Sequence, residues 1–397
     1  MTPRAADFRI PGELLAEMRR WRNRALLVGA LGTVLTAVGM VAVSANQFYR
    51  SYLWAYVFVL GLSLGPMAWL MLQYVTGGAW GVIIRRPAEA AVRTLPLVAV
   101  MFLPVVLGMN NLYPWMPVHH RALPAHQAQW LTPGFFLARA AVYFAGWLVL
   151  GWLFNRWSAE EDRDGRAAAR RKLGWLAGPG LVFWGLAVSF MSIDWILSVK
   201  PEWFSTMFPL LTIVGQALTA MAFLIALLVL LWFRQPMSGV LTPRHLHDLG
   251  KFLLALVMVW AYFSFSQFLI IWAGNLPEEI PWYQVRLNNG WQAVALLLVV
   301  GHFALPFALL LSRDLKRNFK LLAWIAGFVL AMRLVDLYWQ IAPYFRSGGF
   351  GLSWLDVTAP MGLVGLWLAH FLTQLSRRPL IGPNEPALEE ALAHGRE

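Results

Sequence analysis

An all-α integral membrane protein with about ten transmembrane helices is predicted by three features of this sequence. Hydrophobic residues make up 59% of its 397 positions and charged residues only 13%, against about 25% charged in an ordinary soluble chain. The apolar residues fall in blocks long enough to cross a bilayer, which takes ~20 residues of helix. Many of the 22 Trp stand at block ends, where interfacial anchors sit.

Ten spans follow in order: 25–44, 51–75, 92–109, 134–154, 174–198, 206–233, 249–273, 291–312, 320–342 and 354–375. The first has a cleavage-like Val43-Ser44-Ala45, but its apolar stretch is too long for a signal peptide and 24 residues precede it. Residues 12–24 read as a basic amphipathic helix on the membrane surface. The 155–173 loop reads as a solvated charged helix extension, and the tail beyond 376, with Pro379, Pro383 and Pro386, as irregular. The longest loop on the other side, 110–133, is rich in Pro and His. No loop is long enough for a separate soluble domain. The chain thus divides into a basic segment (1–24), a first helix (25–50), a four-helix bundle (51–205), a second one (206–345), a tenth helix (346–376) and a tail (377–397).

Basic residues orient these spans. Of 32 Lys and Arg, 25 lie in the leading segment, the even-numbered loops and the tail; the intervening loops hold one each, Arg50, Arg121, Lys200, Arg286 and Arg346. The positive-inside rule then places both termini in the cytoplasm. That arrangement accounts for the net charge of +12 without nucleic acid. No Walker loop or dinucleotide fingerprint is present. The absence of Cys excludes disulfides, thiolate zinc sites, cysteine-ligated iron–sulfur clusters and covalent c-type haem within this chain.

The division into two bundles rests on a weak internal repeat. Asp194 precedes Pro201 by seven residues, as Asp336 precedes Pro343. The third span leaves through Asn111-Leu112-Tyr113-Pro114-Trp115, and the seventh through Asn275-Leu276-Pro277. A four-span unit repeats in parallel orientation.

Ionisable groups inside a span cost roughly 2.5–3.5 kcal/mol at mid-bilayer. Asp194 lies ~6 Å inside the outer end of the fifth span, Asp336 ~9 Å and Arg333 ~14 Å inside that of the ninth. Arg333 and Asp336, three apart, share a helix face and can pair. Gln267, with Ser264 and Ser266, adds polarity to the outer half of the seventh span, and His302 is near the mid-plane of the eighth. Together they suggest one polar cavity open to the outer side, with His302 continuing it inward. Such a cavity suits a quinol headgroup or a proton relay. Structural ion pairs and interhelical hydrogen bonds are the plain alternative. Arg139 reads as a snorkelling side chain. His247 and Asp248 mark the inner mouth of the seventh span. Bound haem is not expected, because the two histidines within spans, His302 and His370, stand at different depths. His119, His120 and His126 have no acidic neighbour in sequence, so no metal site is expected there.

The segments Ser192-Ile193-Asp194-Trp195-Ile196-Leu197-Ser198, Pro201-Glu202-Trp203-Phe204, Asp248-Leu249-Gly250-Lys251, Trp260-Ala261-Tyr262, Phe265-Ser266-Gln267, Asn275-Leu276-Pro277-Glu278-Glu279, His302-Phe303, Pro306-Phe307 and Arg333 with Asp336-Leu337-Tyr338-Trp339 resemble one family. It is the F subunit of bacterial alternative complex III, a quinol:cytochrome c or quinol:acceptor oxidoreductase. The resemblance covers about 190–340. It implies an NrfD-like (polysulfide-reductase-like) membrane subunit of two four-helix bundles with no redox centre of its own. It further implies partners: a sister NrfD-like membrane subunit, an iron–sulfur subunit and c-type cytochrome subunits that carry the iron–sulfur clusters and haem c. The sister subunit would be the better candidate for the productive quinol site, and this chain would support assembly and conduct protons or bind quinol near the outer face. An independent secondary transporter is the other reading, since Pro96, Pro104, Pro209 and Pro306 interrupt spans; a pure scaffold or assembly subunit is a third.

Overall fold

The computed structural model describes residues 8–121, 123–164, 167–346, 348–385 and 388–394. Among these residues there is no strand, and ten helices are long and apolar enough to cross a membrane. They are α1 Gly12–Ala42, α2 Ala45–Thr76, α3 Val82–Leu107, α4 Pro133–Arg163, α5 Ala168–Val199, α6 Met207–Leu231, α7 Pro243–Gly274, α8 Trp291–Leu311, α9 Phe319–Phe345 and α10 Leu355–Leu375. The all-α membrane fold is therefore as predicted.

Local chemistry sets the helix ends. Ser44 and Thr242 cap α2 and α7, accepting from the amides of Gln47 and His245. In α3, breaks fall just ahead of Pro96 and Pro104, which lack the N–H a helix interior needs. α8 is interrupted at mid-length by a π-helical segment, Leu298–Ala304. Pro306 follows it and cannot donate to the carbonyl of residue 302, so the regular ladder is locally unworkable.

Two sequence expectations are corrected. Residues 12–24 are not a separate surface helix. They form the first turns of α1, because residues 13–28 are mostly strong helix formers with no Gly or Pro to interrupt them. The tail is not irregular throughout. Leu380 and Ile381 are fully buried against the first bundle, and Leu388–His394 is helical.

Helices α2–α5 pack as one group and α6–α9 as another, meeting along α2 and α6. α2 is the central post: 94% of its membrane window is buried. Gly65 lets it touch α6, where a Cβ would overlap the Gln216 carbonyl and Ala220. α1 and α10 pair along their length, and α10 in turn packs on α2 and α3, where the buried Trp367 indole donates to Ser63 and Thr94 at 2.9 Å each. Gly29, Gly32, Gly362 and Gly365 bring their backbones together, and a Cβ on Gly365 would lie 2.6 Å from the Gly29 Cα. Thr36 and Thr358 hydrogen-bond across the same seam at 3.0 Å. Small residues at close crossings are the usual solution where lipid offers no hydrophobic drive.

The basic end carries a buried charge network. Arg85 pairs with Glu89 (3.1 Å), Glu161 and Glu385, and Arg86 with Glu89 (2.7 Å) and Asp162. Glu385 also takes Arg170 at 2.8 Å, which ties the tail to α3, α4 and α5. Mutual pairing is what makes so many buried charges tolerable.

Candidate functional site

Five of the predicted polar residues, Asp194, Gln267, His302, Arg333 and Asp336, gather around two separate carboxylates at the end of the molecule opposite the basic one. In the second bundle, Arg333, Asp336 and Gln340 recur at helical spacing on one face of α9 and are all buried. Arg333 pairs with Asp336 through Nη1. Asp336 Oδ2 also accepts from the Trp260 indole of α7 at 3.1 Å. The Arg333 Nε donates to Thr219 of α6 at 3.4 Å. Gly215, one turn earlier on α6, makes room for that guanidinium, which a Cβ would strike. This is one place where the absence of a side chain is required by the site.

His302 stands on the π-helical segment of α8, fully buried, its ring centroid 4.1 Å from that of Trp260. Neither ring nitrogen has a hydrogen-bond partner. A π-segment shifts the helix face by one position, and such segments recur at functional sites. Here it carries His302 to Trp260, beside the Arg333–Asp336 pair.

Next to this group a pocket of about 770 Å³ opens between α7, α8 and α9 and the short helix Pro281–Arg286. Asp336, Gln267, Gln340 and Tyr283 supply polar groups, while Phe268, Phe303, Phe307 and Trp339 supply apolar surface. Tyr262, Phe265 and Val299 line it and are also exposed on the outer surface of the α7–α8 pair. The pocket therefore opens sideways, onto the surface that faces lipid. Its size and its sparse polar groups in an apolar wall fit a drug-sized amphipathic ligand. His302 does not line it; Trp260, which does, separates the two.

Asp194 belongs to the first bundle and is not part of that wall. It is fully buried and accepts four hydrogen bonds: from the Trp130 indole at 2.9 Å, from Arg139 Nε and Nη2 at 2.8 Å each, and from the Tyr143 hydroxyl at 2.7 Å. It shares no hydrogen-bond partner with Asp336. The expected single cavity joining both Asp residues is thus corrected to a sealed ion pair in one bundle and an open pocket in the other. Arg139 is corrected as well. Instead of snorkelling it is 7% exposed, turned inward by the bidentate pair, with its guanidinium over Trp130 (4.1 Å) and Phe135 (4.3 Å).

His247 and Asp248 lie near the start of α7, ~28 Å along the helix from Gln267. Asp248 pairs with Lys251 at 2.9 Å. They are remote from the pocket. No group of three His, Asp or Glu placed to hold a metal ion occurs among the described residues.

Sequence reasoning missed several residues around these sites. Thr219 and Gly215 lie in an ordinary apolar span. Arg286, counted as one loop arginine, is fully buried: it lies over Trp282 (3.3 Å) and Tyr344 (4.4 Å) and donates to the carbonyls of Trp282 and Trp339. Burial pushes this guanidinium down to about 10, although Tyr344 works in the opposite direction. The aromatic run Pro281-Trp282-Tyr283 was the one available signal for such a site. No protein-family model matches this chain, and no curated protein matches it at a significant level.

Proposed function

We propose that the chain is a non-redox membrane subunit of a bacterial quinol-oxidising respiratory complex, of the kind its sequence resembles, and that its second bundle receives a quinol headgroup. In this reading it sits in the cytoplasmic membrane with both termini inside, so the pocket lies in the outer half of the bilayer. The observation that carries the proposal is the lateral pocket ending on Asp336 and Gln267. A quinol has two hydroxyls on an apolar ring with an isoprenoid tail. It needs a lateral route from lipid, aromatic walls and an acceptor for each hydroxyl. Asp336 and Gln267 are such acceptors, and the aromatic walls suit the ring.

Quinol oxidation releases two protons and two electrons. The electrons would pass to iron–sulfur and haem c centres in partner subunits. Asp336, paired with Arg333, would take one of these protons, and the other would leave to water at the outer face. His302, with both nitrogens unpartnered beside Trp260, supports the related reading of proton conduction inward from the pocket.

Extraction in mild detergent is the first test. The chain should bring with it a second multi-spanning subunit and haem- and iron-containing subunits; recovery of a cofactor-free single chain would favour a transporter. In the intact complex, Asp336→Asn should slow quinol oxidation about tenfold or more. Unchanged turnover and unchanged quinol affinity would leave the chain a scaffold.

A further inference from the structure

A second concave surface, of about 560 Å³, lies at the basic end, between α4 and α5. Its walls are Trp157, Ala168, Arg171, Lys172, Trp175 and Leu176. Arg171 and Lys172 are both exposed, and Trp175, three and four residues further on, is 82% exposed on the same side of α5. The Lys172 ammonium is 5.9 Å from the Trp157 ring and only distantly paired with Glu160, at 3.9 Å. Glu160 in turn takes Arg156 at 3.4 Å. The groove therefore keeps an excess of positive charge next to two indoles.

The surface continues away from this groove. Trp175, Val182, Leu186 and Phe190 follow at helical spacing along α5, and all are exposed. Between them Gly178 and Gly185 have open space where a Cβ would stand, which leaves a shallow furrow. From Trp175 to Leu186 the track runs ~16 Å, about the depth of one leaflet.

The geometry points to a binding site for one anionic phospholipid. Its phosphate would lie against Arg171 and Lys172, its glycerol between the Trp157 and Trp175 indoles, and an acyl chain along the α5 furrow. Free phosphate shares the headgroup chemistry, but it would use neither the exposed indole nor the furrow. This site lies at the other end of the molecule from the quinol pocket and is independent of it.

The test uses the full chain, in whatever assembly it is extracted with, exchanged into nanodiscs of phosphatidylcholine containing a minor fraction of cardiolipin. Native mass spectrometry counts the cardiolipin retained. The parent should hold one molecule that R171Q/K172Q holds about thirtyfold more weakly. W175A should weaken it too while keeping both charges. R313Q/R317Q, which removes two exposed basic residues of the same end, should retain it. Equal retention by the parent and R171Q/K172Q overturns the site. So does equal loss in R313Q/R317Q, which would mean unspecific attraction. Displacement of the lipid by millimolar inorganic phosphate would overturn the lipid assignment in favour of a free-anion site.

Discussion

Replacing Asp194 by Ala tests whether the first bundle is held by a sealed ion pair. The carboxylate is fully buried and accepts four hydrogen bonds, two of them from Arg139 at 2.8 Å. Removing it strands a guanidinium that is 7% exposed. Breaking one side of such a pair costs about 3–5 kcal/mol. Arg139 keeps its bond to the Trp130 carbonyl (3.0 Å) and its place over two aromatic rings, so the loss should fall near 3 kcal/mol. Asp194→Asn retains the shape but not the charge, and should cost about 2 kcal/mol. Removing both charges, as Asp194→Leu with Arg139→Met, should recover most of the loss, because an apolar pair of similar volume replaces a buried ion pair at little cost. The assay is reversible unfolding in mixed detergent micelles, read as a double-mutant cycle. A coupling below about 0.5 kcal/mol would refute the reasoning. On the function proposed above, the same variants should leave quinol turnover per folded complex unchanged, since Asp194 does not line the pocket.

Other outcomes follow from the packing. Because the chain has no Cys, Thr36→Cys with Thr358→Cys should form a disulfide across the α1–α10 seam under mild oxidation. Adding Gly365→Leu should abolish it, since the new side chain meets the backbone of α1; efficient cross-linking that persists in this triple variant would show that the two backbones do not approach at Gly365 as described. Gly215→Ala should push the Arg333 guanidinium away from Asp336, with stability reduced by about 1–3 kcal/mol, and on the proposed function it should lower quinol turnover nearly as far as Asp336→Asn does; normal turnover would remove Arg333 from the site. Glu385 provides a pH test. Burial alone would raise its pKa, but Arg85 and Arg170 outweigh that and hold it below the ordinary glutamate value. A lowered folded pKa means the tail's attachment is fully present above about pH 4.3 and is lost as pH falls through the lower folded value. Hydrogen exchange over 377–385 should therefore show protection near neutrality and its loss in strong acid. Glu385→Gln should lack the protection throughout; an acid-resistant tail would argue that Leu380 and Ile381 hold it without Glu385.

Much of the site's chemistry could be named from the chain alone, but its grouping could not. Arg333 and Asp336 are three apart on one helix, so their pairing follows from helical geometry. Arg139 and Asp194 sit on different helices 55 positions apart, and no periodicity relates them. The contribution of Trp260 to Asp336, and of Thr219 and Gly215 to Arg333, depends on which helices are neighbours. The π-segment that carries His302 to Trp260 could be suspected from Pro306, but its register could not.

By itself the sequence determined the number of spans, the end of the molecule that is basic, and the depths at which the costly charges lie. Each is a property of one helix measured against a bilayer: apolar length, flanking charge, position along the axis. Only the tertiary structure decided which span is central. Hydropathy cannot, because lipid and protein interior are both apolar solvents for a helix. α2, the most buried span, is less hydrophobic than α8, much of which faces outward. Tertiary contact likewise divided the two carboxylates, closing Asp194 with an arginine from the preceding helix and leaving Asp336 at the wall of a pocket open to lipid.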